Sequence, residues 1–160
     1  MAKNPLNNKY VAVGQWDASV TNLANNASAS CTTGSVFIPE GALITNAYYY
    51  VETTFADGND DSQTLALGFT GTTGAFVAAV AISAAGDVWD AGAHATLIDS
   101  PVLGADAAHD TAVEVKNLRS ASFLHVTANS ELLLTTADDE AVEAGKLTLY
   151  VEYVLTGDLS

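Results

Sequence analysis

The residues of this chain that are best spaced to bind a metal ion lie in an acidic turn at residues 57–61 (DGNDD). Its D-x-N-x-D core resembles the first half of a calcium loop, but an EF-hand loop also needs Gly at position six and Glu at position twelve. Those positions hold Ser62 and Gly68. Residues 138–140 (DDE), with Glu143, form a second acidic cluster that is typical of a solvated connector. Turn chemistry explains both clusters, and we predict no metal ligand and no cofactor.

The remaining polar residues give little support for nucleophilic catalysis. The three histidines, His94, His109 and His125, lie outside any HExxH motif and away from a cysteine pair. His109 and Asp110 form half of a Ser/His/Asp arrangement, but no G-x-S-x-G turn completes it. Cys31 is the single cysteine, so an intramolecular disulfide is excluded, and we interpret it as a small buried hydrophobic residue. The sequence therefore indicates a protein that is not an enzyme.

Trp89 is the most distinctive residue of a loop at positions 87–92 (DVWDAG). A tryptophan between acids can stack on a sugar ring or anchor a protein interface, where tryptophan is enriched. The same pattern also fits a loop held onto the core by its one large side chain, and the sequence leaves these alternatives open. The Gly-rich segment 71–74 lacks the lysine and the following helix of a phosphate loop.

Charge is the strongest constraint on partners. The 160 residues include 5 Lys and Arg against 19 Asp and Glu, a net charge of −14. Phosphate backbones and anionic membranes both require clustered cations, so we predict neither nucleic acid nor membrane as a partner. The longest apolar stretch, residues 75–82, is too short to span a bilayer. The first ten residues carry no apolar signal region, so the chain is expected to be made in the cytoplasm and to stay soluble.

Hydrophobic residues make up 49% of the chain and charged residues only 15%, against about 25% in an average globular domain. This balance suggests that part of the surface is covered by something other than water. Residues 1–9 (MAKNPLNNK) form a polar arm that holds two of the five cations, Lys3 and Lys9. A frayed terminus is one interpretation of this arm, and ordering on a neighbouring acidic protein is the other. Residues 10–160 are predicted to form a single domain.

The domain is predicted to be built from strands. Alternation of apolar and polar residues favours strands at 10–16, 35–38, 43–55, 64–69, 121–128, 132–136 and 146–155. In the longest of these, Tyr48 and Tyr50 share one face and Tyr49 lies on the other, so both faces are expected to be covered at least in part. Alanines and the spacing of apolar residues favour one short helix at 75–85, and residues 86–112 are expected to be rich in loops.

About eight strands with long crossing loops predict an all-β fold, an antiparallel β-sandwich or jelly roll with at most one short helix. A parallel sheet would need repeated crossover helices, and the sequence supplies at most one.

Several segments resemble small virion proteins of tailed bacteriophages. Residues 36–48 (VFIPEGALITNAY) lead through a Pro-x-Gly turn into a strand that continues as 51–55 (VETTF). Similar patterns occur at 80–83 (VAIS), at 88–92 (VWDAG) and in the closing strand 146–155. The resemblance covers residues 34–156 at the level of pattern, and no single motif is diagnostic.

This resemblance implies a capsid decoration, or cement, protein. Such proteins form jelly-roll trimers on the outside of the shell, where they clamp neighbouring capsomers without an active site. The implied partners are sibling copies and the major capsid protein, and the candidate contact residues are Lys3, Lys9, Tyr48, Tyr50 and Trp89. The alternative is a carbohydrate-binding β-sandwich of a phage fibre or receptor-binding protein, using Trp89 or Trp16.

Overall fold

The computed structural model describes residues 9–20, 28–58, 63–84, 88–95, 113–118, 121–137 and 141–155, with side chains described outside 28–35, 95, 113–118 and 121–123. The described residues form ten β-strands: β1 (Tyr10–Asp17), β2 (Ser28–Ile38), β3 (Ala42–Asp57), β4 (Thr64–Phe69), β5 (Thr72–Ala81), β6 (Gly92–Ala95), β7 (Val113–Leu118), β8 (Ala121–Val126), β9 (Ser130–Ala137) and β10 (Val142–Leu155).

The strands form two antiparallel sheets. The first sheet has the order β1-β10-β3-β8-β7, with β6 also paired to β3, and the second sheet has the order β2-β9-β4-β5. Apart from β6 and β7, the strands pair like one long hairpin: β1 with β10, β2 with β9, β3 with β8 and β4 with β5. Two further pairs, β10 with β3 and β9 with β4, close the folded hairpin into two sheets. This is the connectivity of a jelly roll, so the predicted fold class is confirmed.

Alternation within the strands places the core between the sheets. Leu147, Leu149 and Val151 of β10 are fully buried, as the pattern of the closing strand predicted. In the second sheet the inward positions are Leu65, Leu67 and Phe69 of β4 and Leu132, Leu134 and Thr136 of β9. Thr53 departs from the alternation that buries Tyr49 and Val51 of β3, because the pairing with β10 shifts register near Lys146 and leaves Thr53 exposed.

The helix predicted at residues 75–85 is wrong over its described part. Residues 75–81 belong to β5, and a turn follows at Ile82. The pairing of β5 with β4 shifts register twice, so the chain accommodates extra residues in β5. These bulges interrupt alternation and bury Ala75, Phe76 and Val77 in succession. The resulting spacing of apolar residues imitates a helix, although cross-strand pairing and the contact between Phe76 and Phe69 decide the structure.

Strand boundaries also differ from the prediction. β2 starts at Ser28 and lies at the edge of its sheet, and β10 starts at Val142, inside the expected acidic connector. β6 occupies part of the segment expected to be rich in loops, and β7 was not predicted. The arm up to residue 8 and residues 96–112 of the segment expected to be rich in loops lie outside the described residues. No described helix is long and apolar enough to cross a membrane.

Candidate interaction surface

An exposed aromatic surface lies on the outer side of the first sheet. Because β10 runs between β1 and β3, the register places Val13 beside Tyr150, and Tyr150 beside Tyr48. Val11 lies in the next row on one side, beside Glu152, and Tyr50 lies in the next row on the other side, beside Thr148. We call these five outward side chains the tyrosine face: Val11, Val13, Tyr48, Tyr50 and Tyr150. Three strands that are distant in sequence therefore build one surface.

The side chains of the tyrosine face are large and open to solvent. The exposed fractions are 54% for Val11, 42% for Tyr48 and 49% for Tyr50. The rings of Tyr48 and Tyr150 stack, with centroids 5.0 Å apart and planes inclined by 16°. Such a stacked pair holds both rings in place. The outer side of the first sheet therefore exposes stacked aromatic rings and valines, with the polar side chains of Gln15 and Thr148 in the same row as Tyr50.

Tyr49 points to the opposite side and is almost fully buried. Its hydroxyl donates a hydrogen bond to the carbonyl oxygen of Val88 at 2.8 Å, and its ring stacks on His94 with centroids 5.0 Å apart. Burial raises the pKa of Tyr49 well above its ordinary value, because the charged phenolate is disfavoured away from water. The run of three tyrosines is thus divided between core and surface by strand alternation.

Ion pairs flank the tyrosine face at its two ends. Lys9 Nζ lies 3.4 Å from a carboxylate oxygen of Glu152, and Lys146 Nζ lies 2.7 Å from one of Glu52. The hydrogen bond from Lys146 lowers the pKa of Glu52, and Glu52 in turn raises the pKa of Lys146. Thr148 also donates to Glu52 at 3.2 Å. Each end of the face therefore pairs a cation with an anion.

Asp17 adds one further negative charge at the Lys146 end, since these two residues pair in the register of β1 with β10. Hydrogen bonds from the side chain and backbone of Ser19 lower the pKa of Asp17. Asp17 is consequently ionised at neutral pH. Among the side chains that the structure describes, the borders of the face carry both cations and three acids.

The predicted contact residues are distributed unevenly in the structure. Tyr48 and Tyr50 lie in the tyrosine face, and Lys9 lies at its border. Lys3 lies outside the described residues. Trp89 is only 1% exposed, so its side chain lies away from the surface. The structure thus brings three of the five predicted residues together.

Trp89 connects the two sheets from inside the core. Its indole nitrogen donates to the carbonyl oxygen of Val80 in the second sheet at 3.1 Å. Its own carbonyl oxygen accepts from the backbone nitrogen of Phe55 in the first sheet at 3.0 Å, and the two rings meet edge to face. Of the two interpretations of this loop, the geometry matches the one in which a large side chain fixes the loop to the core. Trp16 is likewise buried.

The hydrogen bonding of Asp57 matches the interpretation of the acidic segment as a turn. A carboxylate oxygen of Asp57 accepts a hydrogen bond from the backbone nitrogen of Gln63 at 2.9 Å, which closes the segment between β3 and β4. Within the described residues, no group of three or more His, Cys, Asp or Glu is placed to hold a metal ion. Residues 59–62 and 138–140, and the pair His109 and Asp110, lie outside the described part.

The sequence interpretation missed Val11, Val13 and Tyr150 as members of the surface. Alternation along β10 placed Tyr150 on the same side as Glu152, which is the outer side. No local pattern indicates that β10 lies between β1 and β3, because this pairing joins residues at least 85 positions apart. Only the sheet order reveals that the tyrosines of β3 and β10 adjoin the valines of β1.

Comparison with known proteins supports the fold. No family model and no curated protein matches the chain. A chain in the capsid asymmetric unit of cyanophage Pam1 is similar in structure, with a TM-score of 0.55 and 16% identity, over 92% of this chain and 85% of that one. A chain in the acidic stable capsid structure of Helicobacter pylori bacteriophage KHP30 matches with a TM-score of 0.52 and 15% identity, over 92% and 87%. At these identities the similarity shows a shared fold.

Proposed function

We propose that this chain is a structural protein of a bacteriophage virion, which decorates the outside of the capsid and clamps neighbouring capsomers. The single observation that carries the proposal is the similarity over 92% of the chain to chains in two phage capsid structures. The match includes most of both chains, so it concerns the whole jelly roll and not one shared hairpin. The proposed role is mechanical and needs no catalytic group.

The surface of the chain supports a role in assembly. A soluble single-copy protein has little reason to keep stacked tyrosines and valines together on one side of a sheet, and such exposed apolar patches mark interaction sites. We propose a homotrimer that contacts the major capsid protein, with Lys9 and the arm before it docking on an acidic part of the shell. The site of synthesis is the host cytoplasm, and the final location is the capsid exterior.

Binding to capsid shells tests the proposed function. Shells prepared without this protein would be mixed with the purified chain and sedimented, and bound copies would be located by cryo-electron microscopy. We expect saturable binding at fixed positions on the outer surface and greater resistance of the decorated shells to heat. A chain that stays in the supernatant at all concentrations, or one that lies inside the shell, contradicts the proposal.

A carbohydrate-binding module is the competing function, since lectin domains also use jelly rolls. Both tryptophans that this function would use are buried, and the indole of Trp89 is bonded to Val80. Neither ring is open to stack on a sugar in this structure. A glycan array, run with and without a chelator, separates the two functions. Specific glycan binding together with failure to bind shells would favour the competing function.

A further inference from the structure

We infer that the tyrosine face is the surface through which copies of this chain associate with one another. This inference deepens the proposed function, on which it rests for the idea of a virion assembly. It commits to a second copy of the same chain as the occupant of the face. Four properties of the described residues support it: exposure, order, size and charge balance.

Exposure and order are the first two properties. Association is favoured when apolar area that is already fixed in place leaves water, because little side-chain freedom is then lost. Tyr48 and Tyr50 are exposed to 42% and 49%, and the stacking of Tyr48 on Tyr150 limits ring motion. Tyrosine is also among the residues that contribute most to protein interfaces. The face therefore has the composition of an interface centre.

Size is the third property. Four strands, β1, β10, β3 and β6, lie side by side across the face. With strands about 4.8 Å apart and a rise of about 3.4 Å per residue, eight residues each of β1, β10 and β3 and the 4 residues of β6 cover about 450 Å² of sheet. A stable interface needs about 1,000 Å² in total, which is about 500 Å² from each copy. The area of the face thus comes close to what a stable pair of copies needs.

Charge balance is the property that selects a sibling copy as the occupant. Two copies that each carry −14 repel wherever acidic surfaces meet. At the tyrosine face, Lys9 offsets Glu152 and Lys146 offsets Glu52, and Asp17 is one further acid beside Lys146. A surface that binds a different protein can keep any sign of charge, whereas one that meets its own equivalent must be close to neutral. The borders of the face meet that condition.

The distribution of cations supports the argument from charge balance. Among the residues whose side chains the structure describes, both cations lie at the borders of the face, together with three of the eight acids. Because each end of the face carries both signs, a second copy can approach in either direction along the strands and still find opposite charges. A two-fold axis brings the same face of two copies together, whereas in a trimer only the residues next to the three-fold axis meet their own equivalents.

A matched pair of substitutions tests the inference. Tyr50 in the first sheet and Phe37 in the second sheet are both aromatic, both on strands, and exposed to 49% and 50%. Tyr50→Asp and Phe37→Asp therefore change charge and apolar area almost equally, on opposite sides of the molecule. The full-length chain and both variants would be compared by sedimentation velocity over a range of concentrations, with circular dichroism to verify the fold.

The expected result is a wild-type species at a multiple of 16.5 kDa, retained in Phe37→Asp and lost in Tyr50→Asp. We expect Tyr50→Asp to weaken association by at least about 30-fold, as at a central interface residue. Tyr50→Arg should dissociate the copies as well, since it also removes the ring and buries a charge. Dissociation by Asp alone would mean that added negative charge is the cause, which overturns the inference.

Other outcomes also overturn it. These are a wild-type chain that stays monomeric at high concentration, equal behaviour of Tyr50→Asp and Phe37→Asp, or dissociation by Phe37→Asp alone. Shell binding keeps this test separate from the proposed function. A monomer that still binds shells removes the inference and leaves the function, whereas a stable oligomer that ignores shells removes the function and leaves the inference.

Discussion

The outer sides of the two sheets differ in how far their apolar side chains are exposed to solvent. The first sheet presents Tyr48 and Tyr50 with nearly half of their surface in solvent. On the outer side of the second sheet, Leu133 and Ala66 are each 5% exposed, although alternation directs both away from the core between the sheets. The same period-two pattern thus leads to an open aromatic surface on the first sheet and to a covered region around Leu133 and Ala66 on the second, where Phe37 of β2 is still 50% exposed.

The bulged strand β5 accounts for part of this difference. At Gly68 of β4, a Cβ atom would lie 2.2 Å from the carbonyl oxygen of Thr72, so the backbone of β5 passes directly over this position. Leu133 pairs with Gly68 and with Thr32 of β2, and therefore sits between two neighbouring strands. The second sheet is covered by its own chain at this point. The first sheet has no such cover over β1, β10 and β3 among the described residues, which is why we assign its covering to another copy.

The largest expected effect is a difference in stability when outward side chains of the two sheets are shortened. Leu133→Ala should lower the free energy of unfolding by about 2–5 kcal/mol, because it leaves a cavity in a closed environment. Tyr50→Ala should change it by no more than about 0.5 kcal/mol in single copies, since the ring is already half in solvent. Urea unfolding at low protein concentration measures both. Equal losses for the two variants would mean that the outer sides do not differ.

Adding a methyl group at Gly68 tests whether β5 packs tightly over the second sheet. Gly68→Ala should destabilise the fold by about 1–3 kcal/mol, because the new Cβ meets backbone atoms of Thr72 and Thr73 that cannot rotate away. Gly74→Ala is the matched control, since its Cβ would lie no closer than 3.3 Å to Ala78. Thermal unfolding of both variants distinguishes them. If Gly68→Ala is tolerated as well as Gly74→Ala, β5 does not cover the second sheet tightly.

Alternation made much of this architecture predictable. The three inward residues at alternate positions of β10 and the division of Tyr48, Tyr49 and Tyr50 between two sides follow from the geometry of a strand. The jelly roll itself followed from the number of strands and the long connections. The helix predicted at 75–85 failed because β-bulges place buried residues at irregular spacing, which periodicity alone cannot tell from a helix.

The candidate surface was only partly predictable. Tyr48 and Tyr50 could be identified on their own strand, but Val13 and Tyr150 join them through pairing over long sequence distances. Trp89 was a candidate for the surface because a loop tryptophan between acids is compatible with either environment. Its burial depends on Val80 and Phe55, which belong to different sheets. Local sequence carries no information about such contacts.

Salt concentration is expected to change how tightly the copies associate through the tyrosine face. We expect the copies to associate several-fold more tightly as NaCl is raised, because screening reduces the repulsion between chains of −14 while the apolar contact persists. The Debye length falls from about 10 Å at 0.1 M to about 3 Å at 1 M salt. Sedimentation velocity at several salt concentrations measures the effect. Weaker association at high salt would instead point to ion pairs between copies as the main contact.

The smallest expected effect concerns the ion pair at the border of the tyrosine face. Lys146 lowers the pKa of Glu52 from its ordinary value of 4.5, so the stabilisation is present above that value and is lost as pH falls through the lowered pKa. Glu52 raises the pKa of Lys146 from 10.5, so the stabilisation is present below 10.5 and is lost as pH rises through the raised pKa. Lys146→Gln should therefore lower the unfolding temperature slightly near neutral pH and not at all in strong acid.

Lys9→Gln is the matched control, because it removes the longer ion pair at the other end of the face. Both variants leave the tyrosines in place, so the fold and the apolar area of the face should be unchanged. If charge balance selects a sibling copy, each variant should weaken association even though single copies stay nearly as stable. Unchanged association in both variants would show that the tyrosines alone decide the contact, and that the near-neutral border of the face has no part in choosing the partner.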